Sequence, residues 1–81
     1  MYLHIGKDIV LKNKDILFIL DYYSLKENSV FNKFIEKLDK KNIFDISENK
    51  PKSIVITKEN GIIKGYISNI SSNTLGKRSF I

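Results

Sequence analysis

The sequence has no cysteine and no tryptophan, and only one proline, one histidine and one arginine. Without thiols no disulfide can staple the fold, and a single imidazole, His4, leaves no clustered soft-metal site. The four glycines are scattered, and none belongs to a phosphate-cradling loop. The longest unbroken apolar run, Ile16 to Leu20, has five residues; a membrane-spanning helix needs about 20. No basic segment leads into an apolar stretch with a small-residue cleavage site, so the sequence predicts a cytoplasmic protein. At 81 residues the chain is one domain, residues 1–81, close to the lower limit for a core that stands alone. Oligomerisation is the expected remedy at that size.

Acid is also scarce, but only in one part of the chain. Residues 1–49 carry eight basic and eight acidic side chains, whereas residues 50–81 carry six basic groups against Glu59 alone. The whole net charge of +5 therefore lies in the second segment. Such a surface attracts polyanions. Thirteen of the 14 basic residues are lysine, so solubility and an anionic membrane surface stand beside nucleic acid as explanations. Catalysis has little to work with. His4 falls on a strand-like stretch beside Tyr2, and Asp8, Asp21 and Asp45 each adjoin a turn, where aspartate is ordinary. No nucleophile–base pair, paired carboxylates or metal cluster is indicated. The sequence thus predicts a protein without catalytic residues, cofactor, metal or small-molecule substrate.

Local patterns predict a small α+β domain. It has a mostly antiparallel sheet, one main helix and a short C-terminal helical turn. "MYLHIG" alternates, with Tyr2 and His4 on one face and Leu3 and Ile5 on the other, and a turn follows at Gly6–Asp8 before a second brief strand, "DIVL". "ILFIL" reads as a strand buried on both faces and central in the sheet. Ser24 with Glu27 fits a capping box for the helix, and Asn28 or Ser29 are alternative caps. Phe31, Phe34, Ile35 and Leu38 form an apolar stripe. Lys33, Lys37 and Lys40 lie on the other side of a helix expected to end near Lys41 with Asn42 as a left-handed cap. Asn60–Gly61 between "SIVITKE" and "IIKGYIS" marks a hairpin that sets Ile54 opposite Ile67, Ile56 opposite Gly65 and Val55 opposite Tyr66. Gly65 suggests a bulge or the close approach of a neighbour. Ser71 or Ser72 caps a final turn that Gly76 is expected to end.

Three features point to nucleic acid: Lys50 and Lys52 on a loop stiffened by Pro51, the helix lysines Lys33, Lys37 and Lys40, and Lys77 with Arg78. Lysine suits phosphate as a point charge and reads bases poorly, so backbone and groove shape are the expected targets. No helix-turn-helix arrangement is visible. Tyr2, Tyr66 and Ile67, on the first strand and the hairpin, are the candidate subunit contacts.

"MYLHIG", "ILDYYS", "SIVITKENG" and "SSNTLGKR" together resemble the small bacterial extracellular matrix regulatory proteins, RemA and RemB. The resemblance spans nearly the whole chain, and its ends resemble the RemB branch more than the RemA branch. It implies a transcription regulator of biofilm matrix operons that binds double-stranded DNA through basic loops repeated around a ring-like homo-oligomer. The DNA-contacting arginines of RemA-like members fall on Lys50 and Pro51, with a further position near Ser53. Lys50 keeps the charge, Pro51 and Ser53 lose it, and Lys52 is a spatial substitute. A protein-interaction or structural accessory module that does not itself bind DNA is the alternative.

Overall fold

The computed structural model describes residues 1–79. Asn60 and Gly61 take φ of 52° and 81°, the two left-handed positions that a tight hairpin turn requires. They join β5 (Ser53–Glu59) to β6 (Ile62–Ser68). The ladder has the expected register, with Ile54 opposite Ile67, Val55 opposite Tyr66 and Ile56 opposite Gly65. That ladder is regular at Gly65. A Cβ there would stand 3.5 Å from Ile56 Cδ1 and 3.8 Å from Leu38 Cδ1, so the glycine admits close neighbours and makes no bulge.

The hairpin is the centre of a four-stranded sheet ordered β3-β5-β6-β4. β3 (Ile16–Asp21) pairs antiparallel with β5, and β4 (Ile43–Asp45) pairs parallel with β6. A second, two-stranded sheet joins β1 (Tyr2–Gly6) to β2 (Ile9–Lys12). Period-two alternation sends β5 side chains to both faces of the larger sheet. On one face Val55 and Tyr66 pack with Leu3, Ile5 and Leu11 of the small sheet, with Ile46, and with Leu75 of α3 (Ser72–Ser79). On the other, Ile54 and Ile56 meet Leu25 of α1 (Tyr22–Glu27) and Phe31, Ile35 and Leu38, which belong to α2 (Ser29–Lys37) and its C-terminal end. The molecule is thus a small α+β domain in which both faces of one sheet are covered.

Three expectations need correction. β3 is an edge strand, not a central one. Among the described residues it pairs only with β5, the register skips at Leu17, and Leu17 and Phe18 are 46% and 47% exposed. An unbroken apolar run carries no period, so it cannot report which neighbours a strand has.

The main helix is two helices. Asn28 adopts an extended conformation, and its Oδ1 accepts from the N–H groups of Val30 and Phe31 at 3.0 and 3.2 Å. Short polar side chains compete in this way with continued helix. Asp21 caps α1, accepting from the N–H and hydroxyl of Ser24, each at 3.0 Å. α2 stops at Lys37. Lys40–Asn42 is a separate 3-10 turn capped by Asp39, so Lys40 leaves the helical lysine stripe and Asn42 is not left-handed.

Finally, α3 continues through Gly76 to Ser79 and is a full helix. Ser71 caps it, its Oγ accepting from the Thr74 N–H at 3.2 Å. Gly76 has no positive φ to end it, and burial of Leu75 holds the middle of the helix against the core.

Candidate nucleic-acid interface

The loop that carries Lys50 and Lys52 is built by local hydrogen bonds. After β4, Asp45 Oδ1 accepts from the Ser47 N–H at 3.0 Å and from the Ser47 hydroxyl at 2.6 Å. These two bonds hold the Asp45 carboxyl below its usual pKa; slight burial opposes them and Lys7 adds attraction. Glu48 and Asn49 then turn the chain at φ of 54° and 64°. The Lys50 N–H bonds to the Ser47 carbonyl at 3.0 Å, and the Lys52 N–H bonds to the Ser68 carbonyl at 2.8 Å. The Lys52 carbonyl accepts from the Tyr22 N–H at 3.0 Å. Pro51 needs no acceptor. A loop fastened on both sides of its proline thus presents two exposed lysines.

Its neighbour is the start of α1. Tyr23, 61% exposed, lines a shallow depression with Asn49, Lys50, Pro51 and Lys52. The Tyr22 and Tyr23 rings meet edge to face, with centroids 5.7 Å apart. The Lys26 ammonium lies 5.6 Å from the first ring centroid and 5.7 Å from the second, within cation–π range. Tyr23 and Lys26 were not among the residues expected from sequence. Their signal was nonetheless present, because Tyr22, Tyr23 and Lys26 stand at the three- and four-residue spacings that meet on a helix.

The other expected residues are dispersed. Lys33 and Lys37 are exposed on α2, and Lys40 sits on the 3-10 turn beyond it. The Arg78 guanidinium donates to the His4 carbonyl at 3.3 Å and so ties α3 to β1. The His4 ring donates from Nε2 to the Lys7 carbonyl at 2.6 Å, closing the β1–β2 turn. Ser53 is fully buried, and its hydroxyl donates to the Ile70 carbonyl at 2.7 Å. The arginine position that the resemblance places near Ser53 therefore points into the fold here.

Of the expected subunit-contact residues, Tyr2 is exposed. Ile67 packs partly buried against the α1–α2 side. Tyr66 is only 7% exposed, stacks on Phe44 at 5.2 Å and donates its hydroxyl to Glu59 Oε2 at 2.8 Å. Leu17 and Phe18 of the edge strand β3 are exposed as well, as are Val10 and Val30. Among the described residues no three His, Asp or Glu side chains are placed to hold a metal, and no helix is long and apolar enough to cross a membrane.

A family model described as RemA-like, extracellular matrix regulatory protein A-like, matches residues 2–79. The chain belongs to the RemA-like family. It is also 35% identical over 79 residues to Extracellular matrix regulatory protein B of Bacillus subtilis (strain 168), an alignment covering 98% of this chain and 90% of that relative. Both descriptions are regulatory and name no reaction. Family membership therefore links this chain to extracellular matrix regulation.

Proposed function

We propose that this RemA-like chain is a DNA-binding transcription regulator of the cytoplasm, associated with the nucleoid, that grips the duplex backbone through basic patches repeated on a homo-oligomer. The observation that carries this reading is the fastened loop of Lys50 and Lys52. The ion pairs among the described residues are Lys41–Asp39 and Lys64–Glu59, so neither loop lysine is spent on a carboxylate. An ammonium group held outward on an ordered backbone suits phosphate, and one chain offers few such groups. Repetition around an assembly multiplies weak interactions into useful affinity. The exposed Leu17 and Phe18 on an unpaired strand edge support self-association.

The test is light scattering and anisotropy with a duplex of about 30 base pairs across a salt series, for the parent and Lys50→Ala/Lys52→Ala. A defined oligomer whose affinity falls steeply with salt is expected. The double variant should bind more weakly to every sequence, its salt slope shallower by about 0.9 for each phosphate no longer neutralised. Unchanged affinity and slope in the variant would remove the loop from the site. An oligomer indifferent to duplex would favour the second reading, a protein-interaction module, for which the uncharged Pro51 and Ser53 and the apolar β3 edge speak.

A further inference from the structure

We infer that α1 supplies the second half of the phosphate-binding surface, with Lys26 as a third cationic anchor and the Tyr23 hydroxyl as a hydrogen-bond donor beside the Lys50–Lys52 loop. This rests on the DNA-binding reading above and names two residues within it that neither charge counting nor the family resemblance assigns.

Three observations converge on it. First, α1 and the loop are joined by backbone, because the Tyr22 N–H donates to the Lys52 carbonyl. The start of the helix and the end of the loop therefore keep a fixed relation. Second, α1 divides its residues cleanly. Leu25 is buried and Tyr22 packs partly buried in the same cluster, whereas Tyr23 and Lys26 are exposed. The Tyr23 ring forms one wall of the depression whose other walls are Asn49 to Lys52. An exposed aromatic ring at that point buries little within its own chain, but it suits a flat, polar partner. Third, Lys26 is positioned without being neutralised. Its ammonium lies against two tyrosine rings, and neither ion pair among the described residues involves it. Ring faces narrow the range of a lysine side chain while leaving its full charge for an anion. The chemistry thus assembled is two loop ammonium groups, a helix ammonium and a phenol, all suited to phosphodiester oxygens and none to base edges. Charge that the loop lacks at Pro51 and Ser53 is supplied from the neighbouring helix.

The experiment uses the full chain and a mixed-sequence duplex of about 30 base pairs, titrated by anisotropy across a salt series. The variants are Lys26→Ala, Lys26→Arg, Tyr23→Phe and Lys50→Ala/Lys52→Ala, and thermal denaturation verifies that each is folded. Lys26→Ala should weaken binding and make the salt slope shallower by about 0.9, and Lys26→Arg should restore both. Tyr23→Phe should weaken binding about fivefold, the loss of one hydrogen bond, with the slope unchanged because no charge is removed. If the Lys26→Ala and Tyr23→Phe proteins bind like the parent while the loop double variant is impaired, the α1 assignment is overturned and the DNA-binding reading stands. If the parent shows no salt-dependent binding, both fail together.

Discussion

Ser68→Ala should destabilise the protein far more than the loss of one oxygen atom suggests. Ser68 is fully buried at the end of β6. Its hydroxyl donates to the Ile5 carbonyl at 2.5 Å and accepts from the Ile70 N–H at 3.0 Å. Ile5 falls where the β1–β2 register skips between His4 and Gly6, so Ser68 serves an acceptor at a break in the ladder. Alanine leaves no sizeable cavity, and the cost is therefore that of the stranded polar groups, about 1–3 kcal/mol each when buried. Ile5 is fully buried and Ile70 only half so, which places the sum at about 2–4 kcal/mol. At ~0.05–0.15 kcal/mol per residue a chain of this size has only about 4–12 kcal/mol in all. Urea unfolding at fixed protein concentration is the assay. With an m-value of about 1–1.5 kcal/mol/M, the midpoint should fall by about 2 M while the slope holds. The backbone amide of Lys52, bonded to the Ser68 carbonyl, should also exchange faster. A midpoint within about 0.3 M of the parent would refute the reasoning.

Other substitutions test separate parts of the structure. Gly76→Ala should stabilise, because a Cβ there meets nothing within 4 Å among the described residues and Gly76 has no positive φ; about 1 kcal/mol of helix propensity corresponds to a midpoint about 4–8 °C higher in thermal denaturation, and no rise would count against an α3 that runs past Gly76. Leu17→Lys should reduce the assembly mass in light scattering while changing monomer stability by less than about 0.5 kcal/mol; an unaltered mass moves the subunit contact away from the β3 edge. Acid should unfold the protein partly through Asp45 and Glu59. Burial raises the Glu59 pKa, but bonds from Thr57 and Tyr66 with the attraction of Lys64 outweigh it, and both carboxyls sit below their ordinary values. Their contribution is complete above the unfolded pKa and disappears as pH falls through the lowered folded values, so Glu59→Gln should flatten the acid limb of a plot of urea midpoint against pH.

The parts of this fold that could be read in the sequence are those decided by neighbours along the chain. Asn60–Gly61 dictated the hairpin turn, and the turn dictated the register of Val55, Ile56 and Gly65 with their partners. Alternation in "YLHI" separated buried Leu3 and Ile5 from exposed Tyr2 and His4. What was missed depends on distant partners. Nothing local to "ILFIL" states that β5 is its one strand partner among the described residues. Asn28, Ser29 and Ser24 all had cap chemistry, and choosing among them required knowing that helix on both sides of Asn28 packs on the same sheet face. Tyr66 finds Phe44 and Glu59 as partners within the chain, which its local pattern does not name. The same holds for the proposed site. Lys50 and Lys52 stand out by their proline, whereas Lys26 acquires its setting only when α1 docks beside the loop.

The two covers of the sheet differ in when they can form. β5 and β6 are joined by a tight turn and pair on the microsecond scale, and every element of the α1–α2 side precedes them in the chain. Leu75 belongs to α3, which follows all the strands. The face covered by α3 is closed instead by residues far apart in sequence, Leu75 with Leu3 and Ile5, so it carries the larger loop-closure cost and the slower, non-local part of the folding reaction.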